Sequence, residues 1–304
     1  MRVTAEDAAP PSRPTVINFA FSRSLFAGVN ENDAQAAVKV YARTLAEKNG
    51  LTAGPGALVF EEAHAMAEAL RQNRVDLFSL TAEEFFALED EGLGGPLLLT
   101  SSQGGFTEEY VLLVREQSAI RNVADLRGRS VNVASDLRSS LALVWLEVLC
   151  QEHGLGPARQ AFARLTRASK PTQVVLPVFF GKEDACVLTR NGWDLMGELN
   201  PQVKRQLRVV AASPPVVPTI TCFRRDFPER LKQRIVEVAE GSREEPSFQQ
   251  LMSLFKTDQF CHQPLSALES TRALVATHRR IHGGTNSDVA NAPGPAMPAT
   301  TKQP

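Results

Sequence analysis

The sequence predicts an α/β protein with two lobes. Strand-like and helix-like segments alternate along almost the whole chain, which is typical of sheets covered by helices. The chain has 304 residues, of which 43% are hydrophobic and 22% charged, an ordinary composition for a globular protein. This length suits two lobes of about 100–150 residues each. We therefore expect two doubly wound α/β lobes.

The first third of the chain predicts a series of three strands, each followed by a helix. The strands are expected at 16–21, 58–60 and 75–80, and the helices at 33–48, at 62–72 and from 81 onward. Asn49 and Gly50 give the first helix a good C-terminal stop. Thr81 and Glu84 have the spacing of a capping box, which opens the third helix. This order predicts a parallel sheet.

A second β/α series begins at the strongly apolar segment 110–115. We expect further strands at 130–134, 162–166, 185–189 and 207–212, and helices at 139–153, 172–180 and 193–199. The proline-rich segment 213–218 is stiff and extended and leads into a strand at 220–223. Helices at 228–240, 245–255 and 266–280 complete the predicted fold.

Composition excludes several classes of function. With 33 basic and 34 acidic side chains, the formal net charge is −1, so no nucleic-acid partner is indicated. No stretch approaches the roughly 18 apolar residues that a membrane-spanning helix needs, so we expect a soluble protein. We find no motif that indicates a cofactor or a metal centre.

The four cysteines are widely spaced and form no metal-binding pattern. They are Cys150, Cys186, Cys222 and Cys261. We expect four buried thiols, with a disulfide between Cys150 and Cys186 as the alternative. Cysteine usage therefore leaves the compartment undecided.

Both ends of the chain are predicted to lack regular structure. Residues 1–14 read as a flexible N-terminus without the apolar core of a signal peptide. Their composition is typical of the start of a mature exported protein, and a cytoplasmic protein is the alternative. Residues 283–304 are rich in Asn, Ala, Pro, Gly and Thr, which predicts a disordered tail.

Four segments, taken in order, resemble one family of proteins. Residues 118–133, SAIRNVADLRGRSVNV, resemble the entry to the second lobe of type II periplasmic binding proteins. Residues 178–185, VFFGKEDA, and 207–218, LRVVAASPPVVP, are similar to two steps found in phosphate/phosphonate-type solute-binding proteins of ABC importers. Residues 74–77, RVDL, fit a strand of the first lobe, although Asn73 stands in place of the family's glycine.

The resemblance implies two lobes joined by two crossing strands, near 98–105 and 211–219. The first lobe would comprise 15–99 plus 217–282, and the second 100–216. Such crossings allow the lobes to close as on a hinge over a ligand held between them. In open α/β sheets, ligands lie beyond the carboxyl ends of the strands, so the loops there are the first candidates.

The strongest candidate for the binding site is the loop at 134–140. It contains Ser135, Arg138, Ser139 and Ser140, between a predicted strand and a predicted helix. Free backbone N–H groups at a helix start, together with hydroxyl donors, favour an anion. The resemblance implies a loop that grips phosphonate oxygens, of which two of four hydroxyl positions are kept here. The alternative is that Ser139 caps the helix and Arg138 points to solvent.

Two charged residues of the predicted second lobe are further candidates. Lys170 stands where the family often has a histidine that helps to hold the anion, and a solvated lysine is the alternative. Asp184 precedes a predicted strand. The resemblance implies that an acid here can meet the amine of an aminophosphonate, while a structural role bonding backbone N–H groups is the alternative.

Five more candidates lie near predicted strand ends or a crossing strand. Ser22 and Arg23 follow the first strand, Ser79 ends the third, and Thr100 and Ser101 lie on the first crossing. The alternative for Ser79 is that its hydroxyl stabilises the turn before Thr81.

These observations predict a solute-binding protein that captures a small anion, such as a phosphonate or phosphate, for an ABC importer. Its partner would be an ABC permease or a sensor kinase, and we expect a monomer. The alternatives are a sensory module without transport and an enzyme on the same fold, of the menaquinone- or thiamin-pathway type. We predict no catalytic residues, because no catalytic motif is present and the histidines avoid the predicted cleft loops.

Overall fold

The structure is a computed structural model that describes residues 16–54, 58–102 and 105–282. The predicted flexible N-terminus, 1–14, and the predicted disordered tail, 283–304, lie outside the described residues. Among the described helices, none combines the length and the apolar character needed to cross a membrane.

Strands and helices alternate as the sequence predicts. The strands are β1 (Val16–Ile17), β2 (Phe19–Ser22), β3 (Thr52–Ala53), β4 (Leu58–Phe60), β5 (Leu77–Thr81), β6 (Leu93–Ser101), β7 (Tyr110–Arg115), β8 (Ser130–Ala134), β9 (Arg164–Ala168), β10 (Ala185–Thr189), β11 (Leu207–Ala212), β12 (Thr219–Arg224) and β13 (Gln259–Gln263). The helices are α1 (Glu31–Lys48), α2 (Ala63–Arg71), α3 (Ala82–Leu88), α4 (Ala142–Glu152), α5 (Ala158–Ala161), α6 (Pro171–Phe179), α7 (Arg190–Leu199), α8 (Pro201–Gln206), α9 (Glu229–Glu240), α10 (Pro246–Phe255) and α11 (Glu269–Ile281).

Two main sheets divide the fold. One has six strands in the order β13-β6-β12-β5-β2-β4, and the other has five in the order β11-β7-β10-β8-β9. We refer to the six-stranded sheet with α1–α3 and α9–α11 as lobe 1, and to the five-stranded sheet with α4–α8 as lobe 2. The strands β1 and β3 form a separate parallel pair beside lobe 1.

The parallel pairing predicted for the three strands of the first third is confirmed, but further strands make each whole sheet mixed. The strands β4, β2 and β5 are parallel as predicted, whereas β12 runs antiparallel to β5, and β6 and β13 continue that antiparallel edge. In lobe 2, β7 is likewise antiparallel to β10. These antiparallel pairs involve the strands that flank the passages between the sheets.

The chain passes between the sheets twice. The first passage runs from β6 to β7 and the second from β11 to β12. The two passages pair with each other, because the amide of Glu108 donates to the carbonyl of Val216 at 2.7 Å and the amide of Val216 donates back at 2.8 Å. This short antiparallel bridge holds the two connections side by side.

Local sequence signals explain where several elements begin and end. The Thr81 amide donates to Glu84 Oε2 at 2.9 Å and the Glu84 amide donates to Thr81 Oγ1 at 3.4 Å, so the predicted capping box is confirmed. The helix α1 ends at Lys48, and Gly50 follows with φ +64°, a left-handed conformation that favours glycine.

One large hydrophobic cluster extends through both lobes. It includes Phe85 of α3 and Val275 of α11 in lobe 1, and Leu141 and Trp145 at the start of α4 in lobe 2. The helices α4 and α11 pack directly against each other. Apolar packing therefore joins the lobes on one side of the two passages.

All four cysteines are free thiols, and Cys150, Cys186 and Cys222 are buried. Burial is the main cause that raises the pKa of Cys150, to about 12. The alternative of a Cys150–Cys186 disulfide is therefore not what the structure contains.

Candidate functional site

A small cavity lies between the lobes beside the paired passages. Its volume is about 20 Å³, roughly the space of one water molecule. Both lobes contribute to its lining, which comprises Thr100, Ser102, Phe106, Glu108, Leu137, Arg138, Pro218, Thr219, Phe255 and Thr257. We call it the inter-lobe cavity.

A wider depression lies elsewhere on lobe 1, with a volume of about 380 Å³. It is lined by Asp33, Ala36, Gln250, Ser253 and Leu254, between α1 and α10. This depression is open to solvent and lies within one lobe. We place the candidate site at the inter-lobe cavity because Arg138 and several hydroxyls converge there from both lobes.

An ion pair between Arg138 and Glu108 forms one wall of the inter-lobe cavity. Arg138 Nε donates to Glu108 Oε1 at 2.5 Å, and a terminal nitrogen of the guanidinium contacts the same oxygen. The Glu108 side chain is only 5% exposed, whereas that of Arg138 is 21% exposed. Burial raises the pKa of Glu108 to about 7, against the opposing attraction of Arg138.

The second carboxylate oxygen of Glu108 is buried and has no hydrogen-bond partner among the described residues. A buried acceptor without a partner costs free energy, on the order of 1–3 kcal/mol. The cavity lining therefore includes the Arg138 cation, and Glu108 keeps one buried acceptor that has no partner among the described residues.

The backbone around Arg138 is held from two sides. Asp136 caps a short 3₁₀ turn, and its Oδ1 accepts from the Arg138 amide at 3.1 Å. The Tyr110 hydroxyl donates to the Arg138 carbonyl at 2.9 Å, and Tyr110 is fully buried. These bonds fix the loop that follows β8, so the guanidinium starts from a defined position.

The hydroxyls of Ser139 and Ser140 form hydrogen bonds with other groups of the protein. Ser139 is 2% exposed and donates to Asp136 Oδ2 at 2.9 Å, while Ser140 donates to the Pro218 carbonyl at 3.3 Å. The helix begins at Ala142 rather than at the predicted residue 139, because residues 137–139 form the 3₁₀ turn. Ser135 is half-buried, and its amide donates to the Ala168 carbonyl.

On the first crossing strand, neighbouring residues face opposite sides. Thr100 lines the inter-lobe cavity, with its hydroxyl oxygen 3.5 Å from that of Thr219. Ser101 is 3% exposed, and its hydroxyl has no partner among the described residues. Because side chains alternate along a strand, only Thr100 of this pair reaches the cavity.

The remaining lobe 1 candidates are engaged within their own lobe. Ser22 is buried and donates to Glu84 Oε1 at 2.5 Å. Arg23 pairs with Glu31 at 3.0 Å and also with Glu61. The Ser79 hydroxyl lies 2.8 Å from that of Thr221 on the adjacent strand. The structure does not bring these three side chains to the inter-lobe cavity.

Lys170 and Asp184 also lie apart from the inter-lobe cavity. Lys170 is exposed at the N-cap of α6. Asp184 precedes β10, and its Oδ2 accepts from both the amide and the hydroxyl of Ser130, each at 2.9 Å. Since Ser130 begins the parallel strand β8, Asp184 lies at the amino edge of the sheet, opposite the loop that carries Arg138.

The cavity contains residues that sequence reasoning missed, above all Glu108. It lies just beyond the predicted first crossing and carries no motif. The sequence signal that could have identified Glu108 was its position, as an acid between the predicted crossing segment and the apolar strand β7. Ser102 and Thr257 were also not predicted as site residues, because no sequence pattern near them indicates the end of a strand at a cleft.

Comparisons with known proteins are consistent with this architecture. Residues 27–265 match the family described as ABC transporter, phosphonate, periplasmic substrate-binding protein. No curated protein matches the chain.

Several solved structures share the fold at low sequence identity. A Xanthomonas citri protein, solved with chloride and with ATP, is 21% identical, with a TM-score of 0.63 over 88% of this chain and 98% of that one. A binding protein component of an ABC phosphonate transporter from Pseudomonas aeruginosa is 15% identical, with a TM-score of 0.56 over 89% and 88%. PhnD1 of Prochlorococcus marinus, in complex with methylphosphonate, is 13% identical, with a TM-score of 0.56 over 86% and 97%.

The family match covers most of the chain, and the similar structures have the same fold of type II periplasmic binding proteins. The chain therefore belongs to the family of phosphonate-type periplasmic substrate-binding proteins of ABC transporters.

Proposed function

We propose that this protein captures a small oxyanion, such as a phosphonate or phosphate, in the inter-lobe cavity by closure of its two lobes. The observation that carries the proposal is Arg138, which lines the cavity from the loop after β8. A planar guanidinium with several N–H donors suits a tetrahedral oxyanion. The hydroxyls of Thr100 and Thr219 add donors from lobe 1.

In the described arrangement the cavity has room for about one water molecule and is too small for a phosphonate, so the lobes would close around a ligand less far than they do here. The 3₁₀ turn at Arg23–Phe26 of lobe 1 contacts the turn at Leu137–Ser139 of lobe 2. A β-carbon placed on Gly28 would lie 4.0 Å from the β-carbon of Ser169. Ligand entry therefore requires the lobes to part, with the paired passages as the hinge.

Glu108 competes with the ligand for Arg138 in the arrangement described. When an anion approaches Arg138, its charge raises the pKa of Glu108 further above about 7. Glu108 then takes up a proton, which removes its repulsion of the ligand and gives it an O–H group that can donate. We therefore propose that binding is coupled to proton uptake.

A thermal-shift screen tests the proposal, because a ligand of the folded state raises the melting temperature. The screen contains phosphate, phosphite, methylphosphonate, 2-aminoethylphosphonate, ATP, an alkyl sulfonate and small carboxylates. We expect at least one oxyanion to stabilise the wild type and to lose at least tenfold in affinity with Arg138→Gln. Lys170→Gln is the matched control, since it removes one positive charge from an exposed position.

Equal weakening by both variants would reject Arg138 as the binding residue. The double variant Arg138→Gln/Glu108→Gln separates lost binding from lost folding, because it leaves no unpaired buried charge. A preference for 2-aminoethylphosphonate that disappears with Glu108→Gln would instead assign Glu108 to a ligand amine.

We propose import as the role, with an ABC permease as partner, a monomeric state and a periplasmic location. The family to which the chain belongs supports this choice. Ligand-dependent ATP hydrolysis by the matching permease in vesicles tests it, and stimulation of a sensor kinase instead would favour the sensory alternative.

One observation favours catalysis as a second candidate function. Burial raises the pKa of Glu108 to about 7, close to the pKa that a general base needs at neutral pH. Mass spectrometry of the ligand after incubation distinguishes the two functions, since a binding protein returns it unchanged.

A further inference from the structure

A cluster of two histidines and one glutamate lies at the contact between the lobes, away from the inter-lobe cavity. Glu147 belongs to α4, His278 to α11, and His282 caps the end of α11. Glu147 Oε2 lies 2.6 Å from His278 Nε2 and 2.9 Å from His282 Nε2. All three potential ligand atoms lie within 4.8 Å of one another.

We propose that Glu147, His278 and His282 form a binding site for a divalent transition metal of the zinc class. Two histidines four residues apart lie on the same face of a helix, and a carboxylate from a second helix completes a set of three ligands. Imidazole and carboxylate are ligands that Zn²⁺ accepts, and the fourth position remains open for water.

The geometry requires only small movements. With metal–ligand bonds of about 2.0–2.2 Å, neighbouring ligand atoms of a tetrahedral site lie roughly 3.4 Å apart. The observed separations from Glu147 are 2.6 and 2.9 Å. Each imidazole would therefore move by less than about 1 Å relative to the carboxylate, and the two histidine ligand atoms, which lie within 4.8 Å of each other, would also approach the tetrahedral separation. Without metal, each Nε2 carries the proton that it donates to the Glu147 carboxylate. On metal binding, each Nε2 must give up this proton, to solvent or by a change of tautomer, so that the neutral imidazole carries its proton on Nδ1 and Nε2 offers its lone pair.

The burial of these side chains also favours the site. The side chains of Glu147 and His278 are 15% and 17% exposed, while His282 is 43% exposed and leaves a route for the ion.

A metal here would connect the two lobes. Helix α11 is held to lobe 1, because Arg272 forms two hydrogen bonds with the carboxylate of Glu89, at 2.6 and 2.7 Å, and Arg279 donates to the carbonyl of Glu83 at 3.2 Å. Helix α4 follows β8 of lobe 2. Binding would thus add a coordinated link between α4 and α11, where the lobes already share apolar packing.

Calorimetric titration of ZnCl₂ into the chain without a histidine tag, after removal of chelator, tests the proposal. We expect one site per chain, and a loss of at least tenfold in affinity with His278→Gln, His282→Gln or Glu147→Gln. His153→Gln is the matched control, since His153 is an exposed histidine at the end of α4 and should leave the affinity unchanged.

His282→Gln is the decisive variant because its partly exposed side chain can be replaced without opening the core. Circular dichroism and melting without metal establish that each variant folds. Co²⁺ in place of Zn²⁺ should give visible absorption bands of a four-coordinate site in the wild type and in His153→Gln. Unchanged Zn²⁺ affinity in His282→Gln and Glu147→Gln, or equal losses in His153→Gln, would overturn the proposal.

Discussion

Replacing Glu108 by glutamine should make the free energy of unfolding fall less as the pH rises. The carboxyl has a pKa of about 7 in the folded protein against an ordinary value of 4.5, chiefly because it is buried. A group that holds its proton more tightly when folded stabilises the fold fully below about pH 4.5, and this stability is lost as the pH rises towards 7. At about 1.4 kcal/mol per pKa unit, the loss over the whole window is roughly 3 kcal/mol.

Glutamine has nearly the same shape, can still accept a hydrogen bond from Arg138, and carries no charge to desolvate. The free energy of unfolding of Glu108→Gln, relative to the wild type, should therefore increase by about 2–3 kcal/mol between pH 5 and pH 8. Urea unfolding at several pH values, followed by circular dichroism, measures this difference.

Glu109→Gln is the matched control for this experiment. Glu109 is the neighbouring acid, and it pairs with Arg190 at 2.7 Å where both side chains are about one-third exposed. Loss of such a surface pair costs about 0–1 kcal/mol. Parallel pH curves for the wild type and Glu108→Gln would refute the assignment of a raised pKa to the buried Glu108 carboxyl.

Three further results follow from the structure. Trp145→Ala should destabilise the protein by about 3–5 kcal/mol, because Trp145 is 4% exposed in the cluster that joins the lobes, and thermal or urea unfolding measures this loss. Ser139→Ala should lower the free energy of unfolding by about 1 kcal/mol, because the hydrogen bond to Asp136 is lost. Its oxyanion affinity, measured by calorimetry, should stay within twofold of the wild type, and a tenfold loss of affinity would show that the Ser139 hydroxyl contributes to binding. Relative to Glu108→Gln, in which only the ligand's own ionisation contributes, the wild type should lose oxyanion affinity above pH 7, and calorimetry in buffers of different ionisation enthalpy should detect additional proton uptake in the wild type.

Local patterns in the sequence predicted many elements of the fold. The strands β8 and β11 have the predicted bounds, 130–134 and 207–212, because each is a short run of largely apolar, β-favouring residues. The capping box at Thr81 could also be predicted from the sequence, because both of its hydrogen bonds join residues that are three positions apart.

The candidate site was harder to predict because it depends on distant pairing. Arg138 was a candidate from its position after β8, but Glu108 lies 30 residues away, and only the fold brings the two charges together. The start of α4 was misplaced for a local reason: the Asp136 side chain accepts from Arg138 N and Ser139 Oγ, which stabilises a 3₁₀ turn where the pattern continued as a helix. The serines were therefore predicted at a helix start that lies further along the chain.

The hydrogen bonds of Asp184 could not be read from the sequence. An acid before a strand has the same local pattern whether it faces a cleft or bonds a neighbouring strand. The parallel pairing of β10 with β8 decides between these, because it places Asp184 beside Ser130.

We propose that an anion binds at Arg138 between the lobes. A crystal structure of the protein with the oxyanion that raises its melting temperature most tests this claim directly. We predict the anionic group within hydrogen-bond distance of the Arg138 guanidinium and of a hydroxyl of Thr100 or Thr219, with Glu108 no longer Arg138's sole anionic partner. An anion bound outside the inter-lobe cavity, with the Arg138–Glu108 pair undisturbed, would contradict the account.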